Sequence, residues 1–132
     1  MLELEIIAKM ILAVFLGGVI GYEREVIRKP AGLRTHMLVS LGSALFTVMS
    51  FTAFPADPAR IASHIVIGIG FIGAGTIFQM KDKVIGLTTA ACLWVTASIG
   101  MAVGVGYYLI AIVTTALTYI VLRLSRIEKD LH

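Results

Sequence analysis

The fold is decided by residues 87–122, which read LTTAACLWVTASIGMAVGVGYYLIAIVTTALTYIVL and contain no Asp, Glu, Lys or Arg. This stretch is about twice as long as the roughly 20 apolar residues that one membrane-spanning helix needs. Gly104 and Gly106 interrupt it just before two tyrosines, a residue type that is enriched at membrane surfaces. The stretch therefore predicts two spans with a break at these glycines.

The composition of the whole chain also indicates a membrane protein. Its 132 residues are 58% hydrophobic and 14% charged, whereas soluble domains are about 45–50% apolar and about 25% charged. A core of this size cannot bury such an excess, so the excess faces lipid. This argues against a secreted domain, a cytosolic enzyme and a nucleic-acid binder, and we expect no enzymatic activity and no cofactor. A single cysteine, Cys92, excludes an intramolecular disulfide framework.

Charged residues and prolines divide the rest of the chain into three further apolar runs. The first run ends at Glu23-Arg24-Glu25, the second at Pro55, and the third at Lys81-Asp82-Lys83. The predicted fold is one all-α membrane domain over residues 1–132, a bundle of about five transmembrane helices at about 4–22, 34–54, 61–79, 87–103 and 106–122.

The basic residues predict an orientation for this bundle. Cytoplasmic segments carry an excess of Lys and Arg, and nine of the eleven Lys and Arg follow spans one, three or five, leaving Lys9 and Arg60 on the other side. We therefore expect the N-terminus outside and the C-terminus inside. The net charge of +3 then reflects topology rather than a nucleic-acid partner. The nine are Arg24, Arg28, Lys29, Arg34, Lys81, Lys83, Arg123, Arg126 and Lys129.

Glycines recur within the predicted spans. Residues 68–73, GIGFIG, match the G-x-G-x-x-G fingerprint of dinucleotide sites, but that motif needs a preceding strand and an acidic residue about 20 positions later. Neither is expected inside a span. In lipid, small residues let helices approach closely, so we predict packing within the chain or across a homodimer. The residues concerned are Gly17, Gly21, Gly68, Gly70, Gly73, Gly75, Gly100 and Gly104.

Charged side chains gather at the predicted cytoplasmic face. Carboxylates at a helix C-terminus are disfavoured by the helix dipole, so Glu23 and Glu25 need cationic neighbours. Solvated charges that set the topology and a docking or ion site both explain the pattern. Two carboxylates would suffice for Mg²⁺, but residues two apart point to different faces of a helix, which disfavours a metal site. The candidate ionic cluster comprises Glu23, Arg24, Glu25, Arg34, Thr35 and His36.

The fourth predicted span contributes a further candidate surface. Thr88 and Thr89 stand at a helix N-terminus, where free N–H groups can meet an anion or a partner, and Thr88 is a candidate cap. Trp94 lies too deep for an interfacial belt, so we expect it to pack inside the bundle or to line a small cavity. Spans two to five lack charged residues, which disfavours ion-coupled transport.

Ordered motifs over nearly the whole chain resemble those of the MgtC/SapB family of bacterial inner-membrane proteins. They are GGVIGYERE at 17–25, AGLRTHMLV at 31–39, GIGFIGAG at 68–75, GLTTAA at 86–91 with Trp94, and GVGY at 104–107. The resemblance implies a five-helix, multi-pass domain of the bacterial inner (cytoplasmic) membrane. It also implies a link to magnesium homeostasis, acid stress and virulence, through regulation rather than ATP hydrolysis.

In the virulence branch of that family, the resemblance implies binding to the F-type ATP synthase. That branch tends to carry Asn at the position of Thr88 and Cys at that of Val95, so Thr88, Thr89, Trp94 and Val95 are candidate partner-binding residues. Many members continue into a soluble domain, so this chain is expected to be a short member or a truncated one. The leading hypothesis is a regulator that acts through protein contacts; the alternative is a small homo-oligomeric channel or transporter for Mg²⁺ or another ion.

Overall fold

Five helices and one short hairpin make up the structure, a computed structural model that describes residues 2–130 except the side chains of Arg126, Lys129 and Asp130. Five predicted helices are thus confirmed, and the fold is all-α. In chain order the elements are α1 (Glu3–Val26), α2 (Leu33–Thr52), α3 (Pro58–Ala74), β1 (Phe78–Met80), β2 (Lys83–Ile85), α4 (Leu87–Val105) and α5 (Tyr108–Asp130).

Four of these helices are long and apolar enough to cross a membrane. They are α1, α2, α4 and the Tyr108–Ser125 part of α5. Helix α3 is apolar too, but its 17 residues stand at the lower end of the roughly 17–25 that a span uses. The chain is therefore a multi-pass membrane protein, and its orientation stays a prediction.

The third helix is shorter than the predicted range of 61–79. It begins with Pro58 in its first turn, where the missing N–H costs no hydrogen bond and the fixed φ suits a helix. It ends at Ala74, and Phe78–Met80 then pairs antiparallel with Lys83–Ile85, with Phe78 opposite Ile85. The predicted end at residue 79 was wrong, because the sequence pattern of a short apolar run does not distinguish a helix from a strand.

Two glycines in the left-handed region bound α4. Gly86 precedes the helix with φ of 98°, and Gly106 follows it with φ of 92°. At the second end, Gly106 N–H donates to Val103 and Tyr107 N–H donates to Ala102, which together satisfy two orphan carbonyls of the last turn. The break predicted near Gly104 and Gly106 is confirmed at Gly106, whereas Gly104 still lies within α4.

Helices α1, α2 and α4 form the centre of the bundle. Each contacts the other two, while α3 packs on α2 and α4, and α5 packs on α4 and α1. The end of the bundle next to the hairpin, here the hairpin end, holds the last turn of α1 and the first turns of α2 and α4. The opposite end is the far end. The central apolar core consists of Ala13, Leu16, Ile20, Ala44, Cys92, Ile99, Val103, Ala111 and Leu122.

Candidate functional site

Glu23 and Arg24 are buried at the hairpin end rather than solvated in a loop. Helix α1 continues through both residues to Val26, and their side chains are 4% and 3% exposed. Arg24 Nη2 donates a 3.3 Å hydrogen bond to Thr89 Oγ1 of α4. Arg24 Nη1 lies 3.9 Å from Glu23 Oε2, which is too long for a hydrogen bond. The guanidinium therefore joins α1 to the first turn of α4.

His36 connects the start of α2 to α4. Its Nδ1 lies 2.8 Å from the Gly32 carbonyl, and since a carbonyl only accepts, Nδ1 carries the proton. Its Nε2 lies 3.2 Å from Cys92 Sγ, so in the neutral ring the Cys92 thiol is the donor. Arg24, His36, Thr89 and Cys92 together with Glu23 are here called the buried polar cluster. Because Glu23 and Arg24 are buried, they are not solvated charges that only set the topology.

The remaining members of the predicted ionic cluster lie outside this group. Glu25 is exposed, and its Oε2 accepts a 3.1 Å hydrogen bond from Leu33 N–H. It thereby satisfies an orphan donor of the first turn of α2 and places a negative charge where the dipole favours it. Arg34 is exposed and Thr35 half-buried. The predicted cluster thus separates into a buried part and a capping, solvent-facing part.

The two glutamates do not share a site. Glu23 points into the bundle, whereas Glu25 caps α2 on the surface. Among the described residues, no group of three or more His, Cys, Asp or Glu is arranged to hold a metal ion. The arrangement therefore offers no magnesium site built from Glu23 and Glu25.

Polar side chains continue from the buried polar cluster along the buried face of α2. His36, Ser40, Ser43, Thr47 and Ser50 follow one another at intervals of four and three, and all five are buried. Ser43 Oγ donates a 2.6 Å hydrogen bond to the Ala97 carbonyl of α4. The row extends over 14 residues, or about 21 Å of helix.

Several buried polar atoms in this interior have no hydrogen-bond partner within the described part of the chain. They are Glu23 Oε2, Arg24 Nε, Ser40 Oγ and Thr47 Oγ1. An unpaired buried polar atom costs about 1–3 kcal/mol, and more when it is charged. The interior of the bundle is therefore more polar than its packing alone requires.

Close backbone approach at glycines packs the row against α1 and α4. A Cβ at Gly17 of α1 would lie 2.6 Å from the His36 carbonyl oxygen, and one at Gly104 of α4 would lie 2.7 Å from Thr47 Cβ. Gly21 and Gly100 are equally confined, against Leu33 and Ser40, and Gly73 makes an ordinary contact with Ala90. The polar row is consequently packed closely against α1 and α4.

The glycines of α3 behave differently. A Cβ at Gly68 or Gly70 would meet no described atom within 4 Å, and one at Gly75 would meet its own helix. Packing of these three residues against another helix of the chain is not seen among the described residues. Packing across a homodimer stays a prediction for them.

Helix α4 presents one exposed face, formed by Thr88, Ala91, Trp94 and Ser98 and here called the α4 outer face. The prediction that Trp94 packs inside is wrong, because its side chain is 56% exposed. Thr88 is exposed and follows Leu87, the first helical residue, so it is not the cap. Thr89 is buried, and Val95 packs at the edge of the core.

Residues 10–130 match the MgtC family, a range that includes every residue of the buried polar cluster and of the α4 outer face. The chain belongs to the MgtC family.

Two relatives illustrate the similarity. The MgtC-family chain is 46% identical over 127 residues to "Putative magnesium transporter YhiD" of Escherichia coli K12, with 89% of this chain and 59% of the relative covered. It is 45% identical over 115 residues to "Protein MgtC" of Salmonella typhimurium, with 87% and 50% covered. The chain thus spans about half the length of the curated relatives it matches. No solved structure matches it.

Sequence reasoning missed two members of the buried interior. Cys92 was considered for disulfide chemistry, and Lys9 was counted among the basic residues on the extracytoplasmic side of the membrane. Lys9 is in fact buried within α1, where its Nζ donates to the Gly104 carbonyl at 2.9 Å. A signal existed for Cys92, because Thr89, Cys92 and Thr96 recur at helical spacing on one face of α4.

Proposed function

We propose that this chain is a non-enzymatic regulator in a bacterial inner membrane, which acts by docking an integral membrane protein on the α4 outer face. The proposal rests on membership of the MgtC family and on one observation, the exposure of Trp94 part-way along a helix that is long and apolar enough to cross a membrane. Trp94 stands seven residues into α4, about 10 Å from the start of the helix. Membrane tryptophans that face lipid concentrate at the two surfaces instead.

The neighbours of Trp94 support a protein contact rather than a lipid contact. Ala91 and Ser98 are small and exposed, and small residues let a second helix approach closely in lipid. Ser98 Oγ donates to the Val95 carbonyl at 2.6 Å, so the hydroxyl brings no unpaired donor to the face. A large aromatic side chain between two small ones matches the anchors that dominate protein interfaces.

The candidate partner is the membrane sector of the F-type ATP synthase, as the virulence branch of the family implies. In that case the regulator would restrain ATP-linked proton flow under magnesium limitation or acid stress. That branch tends to carry Asn and Cys where this chain has Thr88 and Val95. Thr88 belongs to the α4 outer face, and Val95 is next to Trp94 in the sequence. Assembly into a homodimer belongs to the same proposal, since a second copy is also an integral membrane partner.

Site-specific photocrosslinking tests the docking face. A benzoyl-phenylalanine at position 94 should crosslink to a membrane subunit of the ATP synthase in native membranes. Phe15 of α1, which is 66% exposed, provides a matched aromatic position on a different face and should crosslink to lipid. Equal crosslinking to that subunit from both positions would contradict a specific docking face.

A functional measurement accompanies the crosslinking. ATP-driven proton pumping by inverted membrane vesicles should fall when the chain is present and recover with Trp94→Ala. If deletion of the chain leaves ATP level, membrane potential and growth at low magnesium or low pH unchanged, the regulatory proposal fails.

A channel or transporter is the second candidate function, favoured by the buried polar row on α2. The name of the Escherichia coli relative, "Putative magnesium transporter YhiD", motivates the same test. Magnesium or proton flux into proteoliposomes that contain the purified chain alone would support transport and contradict the regulatory proposal. A Gly100→Leu variant, which wedges apart α2 and α4, is the matched control for flux through the polar row.

A further inference from the structure

A groove between α2 and α3 faces the surroundings of the bundle. Its volume is about 810 Å³, within the roughly 300–1,000 Å³ typical of ligand-binding clefts. Its walls are largely apolar, and Leu38, Phe46 and Phe54 on its rim are exposed. Ser43 also lines it, but its hydroxyl already donates to Ala97. The groove is thus suited to a hydrocarbon chain.

Two glycines open this groove. Gly42 of α2 and Gly68 of α3 both line it, and an added Cβ at either would meet no described atom within 4 Å. Larger side chains at these positions would occupy the groove itself. Gly68 therefore leaves space in the groove that a ligand can occupy.

Positive charge is confined to one end of the groove. Arg60 stands in the first turn of α3 and is exposed, and we expect this end of the helix to lie at the surface of the membrane. Within the described part of the chain it forms no ion pair. His64, one turn later, lines the same end and holds its ring by a 2.7 Å hydrogen bond from Nδ1 to the Arg60 carbonyl. A guanidinium at the membrane surface is suited to bidentate recognition of a phosphate.

The length of the groove distinguishes a lipid from a partner helix. Arg60 and Ile72 line its two ends along α3, and the 12 residues between them extend about 18 Å. One leaflet contributes about 15 Å of the roughly 30 Å hydrocarbon core. The groove therefore matches an acyl chain of one leaflet and is too short for a helix that crosses both.

We propose that the α2–α3 groove is a binding site for an anionic phospholipid, with an acyl chain along Gly42 and Gly68 and the phosphate on Arg60. This site lies on a different surface from the α4 outer face, so it stands independently of the regulatory function proposed above. It also assigns a role to glycines that do not pack helices.

Native mass spectrometry of the purified full chain in detergent tests the site. The probes are phosphatidylglycerol and phosphatidylethanolamine with the same acyl chains. Both lipids carry a phosphodiester, but the head-group ammonium of phosphatidylethanolamine opposes the charge of Arg60. We therefore expect one phosphatidylglycerol per chain to be retained about tenfold more tightly, which corresponds to about 1.4 kcal/mol. Arg60→Gln should remove this preference, Arg60→Lys should keep part of it, and Lys83→Gln, on the hairpin, should leave it unchanged.

Blocking the groove provides the second arm. Gly68→Leu should reduce retention of both lipids, whereas Gly70→Leu, on the same helix but outside the groove, should not. Gly42→Leu repeats the block from α2 in case Gly68→Leu fails to fold, which circular dichroism and elution volume would reveal. Equal retention of the two lipids by the unaltered chain would overturn the proposal. So would a dimer that dissociates in Gly68→Leu at constant lipid content, because the occupant would then be a second copy.

Discussion

Lys9 Nζ donates a 2.9 Å hydrogen bond to the carbonyl oxygen of Gly104, which joins the beginning of α1 to the last turn of α4. That carbonyl is one of the last four of its helix, which lack an intrahelical donor, and the negative end of the helix dipole favours a cation there. The same ammonium group lies 5.5 Å from the centre of the Phe51 ring of α2. One buried lysine therefore holds the three central helices together at the far end.

Replacing Lys9 by Met should destabilise the bundle. The variant keeps the length and packing of the side chain but leaves the Gly104 carbonyl without its charged donor, a loss of about 1.5–3 kcal/mol. Thermal unfolding in detergent, followed by circular dichroism, measures the change. Lys83→Met, on the exposed hairpin, is the matched control and should unfold like the unaltered chain. Identical unfolding of the two variants would mean that the contact contributes nothing.

Gly17→Ala should separate α1 from α2. The new methyl group would lie 2.6 Å from the His36 carbonyl oxygen, and backbone cannot rotate away as a side chain can. Such overpacking costs about 1–3 kcal/mol. Gly70→Ala is the control, since its methyl group meets no described atom within 4 Å. It should be neutral or stabilising by up to about 1 kcal/mol, because Ala favours a helix more than Gly does. The midpoint of thermal unfolding should fall for Gly17→Ala and not for Gly70→Ala, and equal midpoints would contradict the prediction.

The neighbouring residues Thr88 and Thr89 should have different roles, Thr89 in the stability of the bundle and Thr88 in docking of the partner. Thr89→Val removes the hydroxyl that accepts from Arg24 without changing the volume, and should lower the free energy of unfolding by about 1.5–3 kcal/mol. Thr88→Val should leave stability unchanged, because Thr88 is exposed. In the photocrosslinking experiment Thr88→Val should weaken the crosslink from position 94. Destabilisation by Thr88→Val, or none by Thr89→Val, would contradict the assignment of the two side chains.

Much of the architecture follows from hydropathy and from the residues that end helices. Residues 87–122 are too long for one span, and Gly106 divides them because its left-handed φ of 92° ends a helix readily. The close approaches at Gly17 and Gly104 involve glycines that the spacing of small residues had singled out. These signals are local, so a single sequence carries them.

The interior of the site depends on contacts that no local pattern contains. His36 and Cys92 are 56 residues apart, and their pairing follows from the way α2 packs against α4. Trp94 was expected inside because depth in the bilayer was judged without knowing which face of α4 is covered. Lys9 was assigned only to a side of the membrane, because a count of basic residues does not reveal that a helix C-terminus can satisfy one buried cation.

The orientation of the chain can be decided by cysteine labelling in a Cys92→Ser background, where the serine hydroxyl still offers a donor to His36. Asp57→Cys precedes α3, and Lys83→Cys lies in the hairpin after it, and both positions are exposed. Because nine of the eleven Lys and Arg follow spans one, three or five, a membrane-impermeant maleimide should label position 57 in intact spheroplasts. Position 83 should react only after permeabilisation. The reverse pattern would invert the bundle, and labelling of both positions from outside would mean that the 17 residues of α3 do not cross the membrane.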